Sequence, residues 1–213
     1  MKHLDATRPL EIPASEEDGI PELTAWIEAL SLGAHTGHRV LSPASFAAKP
    51  PTVYLETTVV SFLAGRLSRD PATAKIQSTT RDWWARHRHR HRLYVSDVVH
   101  EEVSEGDEDV ASQRREILLG LPTLHQSDAT RELATRILAE CRLPEREYAD
   151  AHHAALCAIH SIEVLLTWNC AHLANEHMIP RIGRACEAYG YVPPAILTPR
   201  QLIGACAYGS AVP

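Results

Sequence analysis

The sequence predicts a three-layer α/β/α domain with a mostly parallel sheet over residues 51–205, and three observations carry that expectation. Short runs rich in β-branched and apolar residues recur along the chain, at 52–55, 93–95, 123–125, 163–167 and 195–197. One or two helical patterns separate each run from the next, which is how parallel strands are joined. Many of those helices open on residues that favour N-caps, namely Asp70, Ser96, Asp107, Ser127 and Thr198.

Taken in order, Thr52, Val53, Tyr54 and Leu55 form the first strand, and a helix begins at Thr58. Asp70 followed by Pro71 marks the start of a long helix through Trp83 and Trp84, because proline is tolerated at the first helical position. A second strand at 93–95 leads to Ser96, which caps a helix bearing Glu101 and Glu102. A helix over 107–119, a short strand at 123–125 and a helix over 127–141 follow. After Pro144 the pattern is helical over 145–160. A buried strand at 163–167, a helix over 182–189 and a last strand at 195–197 complete the sheet, and Thr198-Pro199 opens a terminal helix.

Residues 1–50 read as a poorly structured extension. They carry Pro9, Pro13, Pro21 and Pro43 and the acidic run Glu16-Glu17-Asp18, with one amphipathic helix opening near Ser15. Its stripe of Ile20, Leu23, Ile27 and Leu30 is too short to be stable alone, so the segment either docks on the α/β domain or is a leader. The domain boundary falls at Lys49-Pro50-Pro51, and residues 206–213 are read as a tail.

The totals are those of an ordinary globular chain. Of 213 residues, 45% are hydrophobic and 23% charged, enough for one good core. The longest apolar runs are far too short to span a bilayer, and the N-terminus lacks the apolar core of a signal peptide, so no membrane partner is expected. Five cysteines form no C-x-x-C pair, and reduced thiols in a cytoplasmic protein are the simplest reading. A net charge of −6 argues against a protein that coats nucleic acid, but not against a nuclease, whose cation-holding carboxylates add negative charge.

The chemistry lies in four stretches spread along the chain. Glu56 follows the first strand, with Thr58 two residues on as a hydroxyl donor or water-holder. Glu101 and Glu102 are neighbours on a helix and diverge by about 100°, so at most one can face Glu56. Asp150 lies on a helix otherwise made of alanine and aliphatic residues, where aspartate gains nothing from packing unless it has a partner. Asn169 follows the fourth strand, as a helix cap, as an amide oxygen aimed at a metal, or as both. Carboxylates scattered in sequence but gathered at the carboxyl ends of parallel strands build a site for a hard cation, which points to metal-assisted phosphodiester chemistry.

Two rival features have blander readings. Asp150, His153, Cys157 and His160 share one helix face, but a single helix cannot wrap a zinc ion, and packed or capping histidines are favoured. The run His87-Arg88-His89-Arg90-His91-Arg92 is either a solvated helix end or a surface that tracks RNA phosphates.

The blocks V-Y-L-E-T-T-V-V-S-F-L, V-V-H-E-E-V-S-E-G-D, D-A-H-H-A-A-L-C-A-I-H, L-L-T-W-N-C-A-H-L-A-N and G-Y-V-P-P-A-I-L-T-P-R-Q-L occur in that order. Together they resemble a PIN-domain protein, in the branch of VapC-type toxins of bacterial type II toxin–antitoxin systems. The resemblance spans about residues 51–205. It implies a cytoplasmic Mg²⁺- or Mn²⁺-dependent endoribonuclease, restrained by a cognate antitoxin and often dimeric. It assigns the metal-holding and catalytic positions to Glu56, Glu102, Asp150 and Asn169, with Thr58 beside them. Glutamate at position 56 and a neutral residue at position 169 depart from the commoner aspartates. A catalytically weak module of the same fold, acting by occupying RNA or a protein partner, is the competing reading.

Overall fold

A computed structural model describes residues 49–209, and the expected amphipathic helix at Ile20–Leu30 and the tail beyond residue 209 lie outside it. Five strands, β1 (Thr52–Leu55), β2 (Arg92–Ser96), β3 (Thr123–Leu124), β4 (Val164–Leu166) and β5 (Ala195–Leu197), form one sheet in the order β3-β2-β1-β4-β5. Every pairing is parallel, so the sheet is wholly rather than mostly parallel.

The helices are α1 (Thr57–Ala64), α2 (Pro71–Arg86), α3 (Asp97–Val103), α4 (Glu108–Leu118), α5 (Asp128–Cys141), α6 (Tyr148–Ile159), α7 (Ile179–Ala188) and α8 (Pro199–Gly209). Their caps act as the sequence suggests: the side chains of Asp70, Ser96, Asp107 and Ser127 accept from backbone N–H groups in the first turns of α2, α3, α4 and α5. The helix expected over 145–160 instead opens as a 3₁₀ turn at Glu145–Glu147 before α6 begins. The helix expected from residue 182 starts three residues earlier, at Ile179, where Pro180 sits in its first turn.

The strand order explains the layering. From β1 the chain moves one way across the sheet to β2 and β3, then crosses to β4 and moves the other way to β5. Parallel crossovers are right-handed, so the two directions of travel put their helices on opposite faces. Helices α1 to α4, with α8 against α2, pack together on one side, and α5, α6 and α7 on the other. The direction of travel reverses between β1 and β4, and the crevice at the carboxyl ends of such strands is where open α/β sheets place their ligands.

The core is filled by Val53, Tyr54 and Leu55 of β1, Val164, Leu165 and Leu166 of β4, and the apolar faces of the helices. Ala151, Ala154, Ala155 and Ala158 let α6 pack closely and remain buried. No helix among the described residues is long and apolar enough to cross a membrane.

One core group gives the fold a pH dependence. His91 is 8% exposed, its Nδ1 lies 3.0 Å from the His87 carbonyl, and its ring packs on Trp83. Burial, with the neighbouring charges of His87, Arg90 and His89, pushes its pKa down to about 4 despite that carbonyl. The folded state therefore resists a proton that the unfolded chain accepts below about pH 6.5. Stability should fall, by at most about 1.4 kcal/mol per pH unit from this group, as pH drops from about 6.5 towards 4. Urea titrations across that window should show a flatter acid limb for His91→Gln than for the wild type.

Candidate active site

The four predicted stretches meet at the carboxyl end of the sheet. Glu56 follows β1 directly, and its backbone N–H donates to the Leu166 carbonyl of β4, so the reversal point itself sets its position. It is 4% exposed. Its Oε1 accepts from the Thr58 amide at 3.1 Å, and its Oε2 accepts from the Thr167 hydroxyl at 2.7 Å and from the Thr58 hydroxyl. Thr58 is thus a clamp on Glu56, and its oxygen also accepts from the Trp168 amide at 2.9 Å. Burial raises the Glu56 pKa, against the opposing effects of His153, Thr58 and Thr167.

Half-buried Glu102 approaches Glu56 from α3, whereas Glu101 is exposed. Its Oε2 accepts from the Thr57 hydroxyl and lies 3.2 Å from His153 Nε2. Burial opposes its ionisation, but the hydrogen bond and charge of His153, aided by Thr57, outweigh it and hold the carboxyl below its ordinary range. Conversely, burial would lower the His153 pKa, and the hydrogen bond to Glu102 with the charges of Glu102, Glu56 and Asp150 raises it. Ligand atoms of Glu56, Glu102 and His153 all lie within 4.8 Å of one another.

Asp150 lies one turn before His153 on α6 and makes a different set of contacts. Its Oδ1 accepts from Asn169 Nδ2 at 2.8 Å and its Oδ2 lies 2.9 Å from His172 Nδ1. Glu147 Oε2 is 3.3 Å from the same His172 nitrogen, so Glu147, Asp150 and His172 form a second group with close ligand atoms. The hydrogen bond to Asp150, against burial and with the charges of Asp150 and Glu147, raises the His172 pKa. Asn169 is held at both ends, because its Oδ1 accepts from the His172 amide at 3.0 Å while its Nδ2 donates to Asp150. It caps a turn rather than a helix, since α7 begins only at Ile179.

Thr57, Thr167, Glu147 and His172 were not singled out from sequence, and His153 was read only as one of the packed or capping histidines of a helix face. The signal for His153 was its place three residues after Asp150, on the same helix face. The face that suggested zinc is divided instead: Cys157 is buried, and His160 Nε2 lies 3.0 Å from the His125 carbonyl. The basic run is partly structural, with Arg88 stacked over the Trp84 ring at 4.4 Å.

The residues present fit a hard divalent cation. Glu56 and Glu102 bring carboxylate oxygens to one point beside His153, and Asp150 and Glu147 to a second beside His172, and oxygen is the donor such ions take. Hydroxyl and amide donors hold Glu56 and one oxygen of Glu102 in place. Glu102 Oε1 accepts no hydrogen bond from the described residues, and Glu102 is half-buried.

Among solved structures, the chain is similar to VapC20 of Mycobacterium tuberculosis, a toxin that cleaves the sarcin–ricin loop. The two are 16% identical, with 67% of this chain and 99% of that one covered and a TM-score of 0.45. VapBC2 of Rickettsia felis, solved bound to a DNA fragment from its promoter, is 12% identical, with 69% and 98% covered and a TM-score of 0.42. No protein-family model and no curated protein matches the chain.

Proposed function

We propose that the protein is a Mg²⁺- or Mn²⁺-dependent endoribonuclease of the VapC type, hydrolysing RNA phosphodiester bonds and restrained by a cognate antitoxin. The observation that carries this reading is the approach of Glu56 and Glu102, from separate elements, at the reversal point of a parallel sheet, with Glu147 and Asp150, the latter one turn before His153 on the chain, forming a second acidic group. A buried core needs no such gathering of acids, and its electrostatic cost is one a cation removes.

In this reading Glu56, Glu102 and Asp150 hold the ion by oxygen. The bound ion would supply Lewis acidity, lowering the pKa of a water and stabilising charge on the phosphoryl oxygens. The chain's own part is orientation. Thr58 and Thr167 fix both oxygens of Glu56, Thr57 fixes one oxygen of Glu102, and Asn169 and His172 fix Asp150. Glu102 Oε1, with no partner among the described residues, is the oxygen best placed to take up a proton or a ligand. Asn169 serves chiefly to aim Asp150, since its own oxygen already accepts from the His172 amide.

The test is a digest of total RNA by purified protein with Mg²⁺, Mn²⁺ or chelator, with cut sites mapped. Cleavage that requires the ion and stops on chelation is expected. RNA binding without cleavage under every condition would sink the nuclease reading in favour of a binding module.

Asn169→Asp gives an independent check. It replaces an N–H donor 2.8 Å from Asp150 by a second carboxylate. Melting of the ion-free variant should occur at lower temperature than in the wild type. Added Mg²⁺ or Mn²⁺ should bind about 10-fold more tightly and raise the melting temperature by more.

A further inference from the structure

His153 is 1% exposed, yet its ring edge meets carboxylates. Its Nε2 stands 3.2 Å from Glu102 Oε2, and a ring nitrogen of His153 lies within 4.8 Å of an oxygen of Glu56. Neighbouring ligands of one ion, with bonds of about 2.1 Å meeting at right angles, stand about 3 Å apart. The Glu102–His153 separation is therefore one that shared coordination can use without moving either side chain far. The other ring nitrogen is braced from behind: Nδ1 is 2.7 Å from the Tyr54 hydroxyl, which is 2.6 Å from Ser96 Oγ, and Ser96 also caps α3. Tyr54 is fully buried in the central strand, so this brace is fixed to the sheet. A second nitrogen held by a rigid polar partner is the usual arrangement of a metal-ligating imidazole.

We propose that His153 Nε2 is a direct metal ligand beside Glu56 and Glu102, making the site a mixed nitrogen–oxygen centre that takes Mn²⁺ in preference to Mg²⁺. The inference rests on the metal-dependent nuclease reading. Mg²⁺ keeps to oxygen ligands and water, whereas an imidazole nitrogen favours transition metals. The proton on Nε2 leaves to solvent as the ion enters. The second imidazole, His172, differs in that its Nδ1 faces Asp150 and Glu147 from a half-exposed position.

The experiment uses untagged full-length protein loaded with Mn²⁺, examined by electron spin-echo modulation for coupling to an imidazole nitrogen. Calorimetric titration with Mn²⁺ and Mg²⁺ accompanies it, on the wild type, His153→Gln and His172→Gln, each checked for folding by circular dichroism. Expected are imidazole coupling in the wild type and in His172→Gln, its loss in His153→Gln, and a Mn²⁺-over-Mg²⁺ preference that shrinks about 10-fold in His153→Gln. Bound Mn²⁺ without imidazole coupling in the wild type, or coupling lost in His172→Gln, would overturn the proposal. Those two results decide the matter even if His153→Gln does not fold. Binding of neither ion overturns the metal-dependent reading itself, and this inference with it.

Discussion

Glu102→Gln and Asp150→Asn are each expected to lower RNA cleavage by about 10³-fold or more, while circular dichroism and the melting temperature stay close to wild type. Both side chains are half-buried rather than enclosed in the apolar core, and both substitutions keep the side-chain volume while removing a charge that the proposed ion would require. Glu101→Gln should retain most activity, because Glu101 is exposed and points about 100° away on the helix. The decisive comparison is cleavage by Glu101→Gln and Glu102→Gln under identical metal concentrations. An inactive Glu101→Gln beside an active Glu102→Gln would remove Glu102 from the site. Glu102→Gln also keeps an oxygen to accept from Thr57, so a loss of activity without a loss of fold would report the charge and not the packing.

Trp83→Ala should cost about 3–5 kcal/mol of stability, the largest single effect expected in the core. Trp83 is fully buried in α2, packs on Trp84 and His91, and no neighbouring side chain can fill the space of an indole. Its Nε1 is buried without a hydrogen-bond partner among the described residues. Trp83→Phe should therefore be far milder, about 1.5 kcal/mol or less, since it removes an unsatisfied polar group along with some of the volume. Trp84 is only partly buried and carries Arg88 on its face, so Trp84→Ala should cost well under half as much as Trp83→Ala. Chemical denaturation of the three variants orders them. A Trp83→Phe as damaging as Trp83→Ala would show that the indole nitrogen is bonded after all.

The elements were legible in the sequence because their signals are local. Asp70, Ser96, Asp107 and Ser127 cap the helices expected of them, and β1 and β5 span the residues that their β-branched and apolar runs marked out. The errors were local as well. The sequence pattern ran α6 together with the 3₁₀ turn at Glu145–Glu147, because acidic and basic residues suit both, and the start of α7 was set late because Pro180 reads as a break when it is in fact a first-turn residue. Alternating strands and helices pointed to a mostly parallel sheet, but the order β3-β2-β1-β4-β5 was set only by the tertiary structure, because right-handed crossovers are compatible with more than one strand order.

The site divides differently. By itself the sequence determined which carboxylates are anomalous: Glu56 at a strand end, Asp150 on an alanine-rich helix face, and one of two adjacent glutamates on a short capped helix. Only the tertiary structure decided how they are used. Asp150 turns to Asn169 and His172, Glu102 turns to Thr57 and His153, and Glu147 joins from a 3₁₀ turn. His153 illustrates the reason. Its type and helix face are written in the sequence, but its hydrogen-bond partners are Tyr54 and Glu102, which are 99 and 51 residues away along the chain. Local patterns specify backbone conformation, because backbone hydrogen bonding and steric preference act over a few residues. Hydrogen bonds between side chains and the electrostatics of buried charge act through space, and only the packing of α3 and α6 against the sheet brings those partners within reach.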